Sequence, residues 1–168
     1  MSEEKLIRQL KEVKLEYSEV MLYLIVKAHE LFVSGIYDDI KYMYAALALL
    51  NNTYYTIPDS FKSKKDLEVF NELKEKLQVE LDQLDKECEE LRESLYNDKI
   101  KQRGTLMELA KKRDIAEQVE EEVDKYYADK YRNILAFYFP RLMNLIVNIL
   151  HRNHVLIKAR EIPIYRLD

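Results

Sequence analysis

Residues 64–102 read KKDLEVFNELKEKLQVELDQLDKECEELRESLYNDKIKQ. Apolar or small side chains recur at Phe70, Leu73, Leu77, Leu81, Leu84, Cys88, Leu91 and Leu95. Steps of three and four place them on one stripe of a helix, and from Leu81 onward the repeat is heptad-like. The other positions are dense in Glu, Asp and Lys, which makes them a solvated face. Gly104 can take the left-handed conformation that ends a helix, and Thr105-Leu106-Met107-Glu108 reads as a capping box. A second arm follows, with Leu109, Ala116, Val119, Val123, Tyr126, Tyr131 and Ile134 on its seam. Residues 64–139 therefore predict a long antiparallel coiled-coil hairpin. At about 1.5 Å per residue its first arm would reach roughly 58 Å, so part of it is expected to protrude or to pair with another chain.

Outward from that hairpin the rest of the chain also reads as helix. Residues 3–33 carry Leu6, Leu10, Val13, Tyr17, Val20, Leu24, Ala28 and Leu31 on one seam, and Met21, Ile25 and Phe32 widen the apolar face in the second half. That half is expected to be buried and the first half to lie at the surface, with Ser2 as N-cap. Ser34-Gly35 is expected to end this helix, and a second to run from about Asp38 to Tyr55. From Tyr42 to Ile57 no residue is charged, a run expected to be covered by the fold or by a partner. Pro58 closes the segment, and Ser63 with Asp66 offers a cap-like pair before the first hairpin arm. Pro140 is expected to break the last long helix, leaving a further helix from Arg141 to about Arg152. The tail beyond Asn153 is β-branched and interrupted by Pro163, so it is expected to be extended and to dock on the bundle or on a neighbouring subunit.

The fold expected is thus all-α, a single helical domain over 1–168. About five helices make it up: an N-terminal helical hairpin (1–57), the long coiled-coil hairpin (59–139), then a C-terminal helix and short extended tail (140–168). Two Gly and three Pro in 168 residues leave too few turns for an all-β or α/β fold. One cysteine excludes an intramolecular disulfide. The N-terminus lacks the cationic start and apolar run of a signal peptide, and a cytoplasmic location is expected. The one membrane candidate, Ile134–Leu150, falls short of the ~20 residues that span a bilayer. High Lys, Glu and Tyr content resembles hyperthermophile usage, against which stand eight Asn.

Charge is distributed unevenly around the total of −4: residues 59–124 hold twenty acids and thirteen bases, and 125–168 hold three and eight. Within the acidic hairpin, Lys99, Lys101, Arg103, Lys111, Lys112 and Arg113 gather at the tip. Such a patch can hold phosphates, although solvated loops collect the same residues. A second basic set, Arg141, Arg152, Lys158, Arg160 and Arg166, lies near Tyr138, Phe139 and Tyr165. His151 and His154 have metal-compatible spacing but no evident third ligand, and no Glu-x-x-His pair of the di-iron type exists. There is no Gly-rich phosphate loop, Gly-x-Ser-x-Gly, Cys-x-x-Cys or His-Glu-x-x-His. The expectation is a non-enzymatic assembly or adaptor protein without cofactor, metal or small-molecule substrate. It would bind itself, as a homo-oligomer, or a protein partner, with Leu81, Leu84, Leu91 and Leu95 as candidate interface residues. The alternative is nucleic-acid binding through the tip and the basic C-terminal region.

Overall fold

The computed structural model describes residues 2–103 and 109–155, and the side chains of these except 13–15, 102, 103 and 109–111. It is an all-α helical bundle. The helices are α1 (Glu3–Tyr37), α2 (Lys41–Thr56), α3 (Lys64–Arg103) and α4 (Leu109–Arg152), with a 3-10 turn at Asp59–Phe61. No strand occurs among the described residues. The capping box at Thr105–Glu108 and the tail from residue 156 onward lie outside them.

Two compact units result, one of residues 1–74 and 136–168, the other of 75–135. In the first, α1 and α2 form an antiparallel pair with a close approach at its corner. A Cβ on Gly35 would stand 2.2 Å from Met43 Cγ and 2.9 Å from the Met43 backbone nitrogen. Gly35 is therefore a contact glycine, and α1 continues past it to Tyr37 instead of ending there as the sequence suggested. At the other end Ser2 caps the helix as expected, its hydroxyl accepting from the Lys5 N–H at 3.3 Å. Asp39 Oδ1 accepts from the Lys41 N–H at 2.9 Å and starts α2.

Met21, Ile25, Ala28 and Phe32 of α1 are buried together with Met43, Ala46, Leu50 and Tyr54 of α2 and with Phe139, Leu142, Met143, Ile146, Ile149 and Leu150 of α4. Phe32 stacks on Phe139 at 4.3 Å, and Tyr54 on Phe70 at 3.5 Å. The expected break at Pro140 does not occur, and α4 runs through it. Proline removes one donor and crowds the preceding turn. Here the Arg141 guanidinium donates to the Phe137 carbonyl at 2.6 Å while lying over the Phe137 ring, so the loosened turn is held from outside.

An ion pair closes this unit. Asp66 accepts from the Ser63 N–H at 2.7 Å and its own N–H donates to Ser63 Oγ at 3.1 Å, the reciprocal cap read from the sequence. The same carboxylate also takes the Arg152 guanidinium. Asn153 donates to the Phe61 carbonyl at 2.9 Å, so the 58–63 corner is pinned from both sides. Burial alone would push the Asp66 carboxyl up, but the hydrogen bonds from Arg152 and Ser63 and the guanidinium charge outweigh it and hold it below the usual carboxylate range.

The second unit is the antiparallel pair of α3 and α4. Tyr126 donates to Glu87 at 3.1 Å, Arg92 to Glu120 at 2.5 Å and Lys99 to Glu122 at 3.1 Å, so position falls on one helix as it rises on the other. Leu77, Leu84 and Cys88 on α3 and Ile115, Val119, Val123, Tyr131 and Leu135 on α4 form its buried seam.

Candidate interaction surface

The uncharged run of α2 has two faces. Met43, Ala46, Leu50, Thr53 and Tyr54 turn inward. Tyr44, Ala45, Ala48, Asn52 and Tyr55 are exposed, Tyr55 by 60 %. A solvent-facing helix ordinarily carries Lys and Glu there, because those side chains keep the surface wet. This one presents small side chains between two tyrosines. Lys74 Nζ donates to the Tyr55 hydroxyl at 3.1 Å and lies over its ring, which fixes one end of the surface.

The neighbouring helix also exposes apolar side chains. Val20, Tyr23, Val33, Ile36 and Tyr37 are exposed on α1, Tyr37 by 85 %, while Lys27 and Glu30 pair with each other at 4.0 Å. Where the two helices meet, Leu31, Val33, Tyr37 and Tyr42 line an open cleft of about 490 Å³ with Lys27, Glu30, Ser34 and Asp38. Among the described residues two helical stretches are long and apolar enough to cross a membrane, α1 and Lys112–Arg152. The sequence alone singles out only Ile134–Leu150, seventeen residues that run across Pro140 and lie inside the second of these, and leaves α1 aside. More than half of the apolar window in 112–152 is buried inside the protein, against 28 % of that in α1.

The candidate residues of the hairpin are distributed as follows. Leu84 is buried in the seam, and Leu81, Leu91 and Leu95 are half-buried. At the tip Lys101, Lys112 and Arg113 are exposed, and Lys99 faces Glu122 and Gln118 across the pair. The side chains of Arg103 and Lys111 lie outside the described residues. Antiparallel pairing thus brings in acids that a linear count from 99 to 113 does not contain. Arg152, grouped in sequence with the basic C-terminal set, faces Asp66 instead.

Cys88 lies in a groove of about 310 Å³ with Asp85, Glu89, Arg92, Val123, Asp124 and Tyr127. Burial pushes its thiol up, Asp85 adds to this, and Arg92 opposes it only in part. Such a cysteine behaves as a small core residue, not as a nucleophile. His154 takes a left-handed backbone conformation after α4, and among the described residues no three of His, Cys, Asp and Glu come together at metal-binding spacing.

Compared with known protein families, with characterised proteins and with solved structures, the chain matches none.

Proposed function

We propose that this chain is a non-enzymatic assembly subunit that associates with a second copy of itself through the outer face of α2. The supporting observation is the exposed row Tyr44, Ala45, Ala48, Asn52 and Tyr55, which carries no charge. Its order, large at both ends and small between, is nearly the same read in either direction. A two-fold axis through the middle would set the small residues of the two copies against each other and Tyr44 of each copy beside Tyr55 of the other, a self-complementary contact. Tyrosine suits such a contact because it buries area while its hydroxyl stays wet. The reading moves the self-contact from the arms of the hairpin to the N-terminal pair, since Leu84 is already buried.

Sedimentation equilibrium across a concentration series, with wild type and Ala48→Glu, tests it. Dimer for the wild type and monomer for the variant, both equally helical, is the expected result. Equal mass for both proteins at every concentration overturns it.

A second reading, nucleic-acid binding at the hairpin tip, draws on the exposed Lys101, Lys112 and Arg113. Fluorescence polarisation with a generic DNA duplex should then show a log–log salt slope of about −3, lost on reversing Lys112 and Arg113.

A further inference from the structure

Helix α1 ends in a way that concentrates negative charge. The last turn of a helix closes on carbonyls without an intrahelical partner and carries a partial negative charge, so bases ordinarily gather there. The last turn of α1 carries none. Asp38 caps it instead, its N–H donating to the Ser34 carbonyl at 2.8 Å, and Asp39 follows. Asp39 is committed to starting α2, where it accepts from the Lys41 N–H.

The cleft of about 490 Å³ opens beside this end. Leu31, Val33, Tyr37 and Tyr42 give it apolar and aromatic walls, and Ser34 and Asp38 bring the end of α1 into its lining. Lys27 and Glu30 line it too, but they face each other at 4.0 Å and add no net charge. Asp38 then leaves the lining with one more acid than base. The tyrosines suit a cation as well, because the face of an aromatic ring is negative. Lys41 Nζ stands 5.3 Å from the centre of the Tyr42 ring, so one of them already carries an ammonium. Tyr37, 85 % exposed, offers the other.

We propose that this cleft binds a free organic amine. Its ammonium or guanidinium head lies at Asp38 and the last carbonyls of α1, and its carbon stem runs along Leu31 and Val33 beside the Tyr37 ring. The helix end, the surplus acid and the two rings agree on the charge of the ligand. The walls exclude a bare metal ion, which prefers a shell of oxygens and would gain nothing from Leu31 and Val33. Volume points to a whole small molecule: such sites run from about 300 to 1,000 Å³, and one lysine or arginine side chain of a partner would fill only part of this one. The cleft and the exposed row of α2 use different residues, so the inference stands apart from the self-association.

Protein-observed NMR on the full chain tests it, by titration with n-butylammonium and, as the neutral probe of the same stem, n-butanol. Signals of residues 30–42 are expected to shift saturably with the amine, at a dissociation constant about fivefold lower than for the alcohol. Tyr37→Ala and Asp38→Asn, both at exposed positions, should each raise that constant about threefold at unchanged helicity. Tyr23→Ala, an exposed tyrosine outside the cleft, should leave it unchanged. Equal affinity for amine and alcohol would reduce the cleft to an apolar surface and overturn the proposal. So would a loss as large in Tyr23→Ala as in Tyr37→Ala, or no saturable shift at all. Tighter binding of a lysine held within a blocked tripeptide than of the free amine also overturns it, and would assign the cleft to the side chain of a partner.

Discussion

Ion pairs join α3 to α4 in both units of this protein, and Arg92–Glu120 in one is built differently from Asp66–Arg152 in the other. In the hairpin, Arg92 and Glu120 keep 44 % and 50 % of their side chains in water. In the bundle, the Asp66 side chain is 10 % exposed and serves Ser63 and Arg152 at once. The apolar contacts divide in the same way. The hairpin has a thin seam, Leu77, Leu84 and Cys88 on α3 and Ile115, Val119, Val123, Tyr131 and Leu135 on α4, whereas the bundle stacks aromatic rings in a core several helices deep. One pair of helices thus relies on solvated charge over one stretch and on enclosure over another. The loss from a comparable substitution should therefore be larger in the bundle.

The largest effect is expected at Phe139, which is fully buried and stacked on Phe32. Phe139→Ala should cost about 3–5 kcal/mol in urea denaturation. A loss no greater than that of Val119→Ala in the hairpin seam would break the comparison.

Asp66→Ala should come next, at about 2–3 kcal/mol, because it removes a cap and charge-assisted hydrogen bonds together. The Asp66 carboxyl is held low in the folded protein, so its contribution is present above the unfolded value near pH 4 and is lost as pH falls through the folded value. The gap between wild type and Asp66→Asn should accordingly close below about pH 4. A gap that persists in acid would mean that packing, not charge, carries the effect.

Gly35→Ala tests enclosure without charge. The added methyl meets the Met43 side chain and backbone nitrogen, and overpacking of this kind costs about 1–3 kcal/mol. If the thermal midpoint rose, as it would at an uncrowded helical glycine, the close approach at this corner would be refuted. The smallest effect belongs to Arg92→Ala, at under about 1 kcal/mol and shrinking with added salt. A loss matching that of Asp66→Ala would erase the distinction between the two pairs.

Much of the hairpin was legible in the sequence because its signal is local. The three-and-four spacing from Phe70 to Leu95 names a face without reference to anything distant, and Ser63 and Asp66 are three residues apart. The partner of Arg152 was not legible, since it lies 86 residues away and a basic cluster in sequence does not show which member faces an acid. Pro140 misled because the group at its turn, the Arg141 guanidinium, reaches back to the Phe137 carbonyl one turn earlier in the same helix, a side-chain contact that backbone propensity does not record. Gly35 misled for a related reason: the same residue type ends a helix or admits a neighbour, and only Met43 tells which. For the candidate surface, the absence of charge from Tyr42 to Ile57 was visible at once. Which half of that helix the fold would cover was not.

The antiparallel register also orders events in time. Arg92 and Glu120 are 28 residues apart and Glu87 and Tyr126 are 39, whereas Asp66 and Arg152 are 86 apart and Ser18 and Val155 are 137. Closing a loop costs more as it lengthens, so the middle of the chain can zip before its ends meet. Once zipped, it no longer counts as slack between Asp66 and Arg152. The hairpin then works as a guide that delivers the two termini to each other. Leu84→Ala should for that reason slow refolding in stopped-flow tyrosine fluorescence and not merely hasten unfolding, and an unchanged refolding rate would reverse the order.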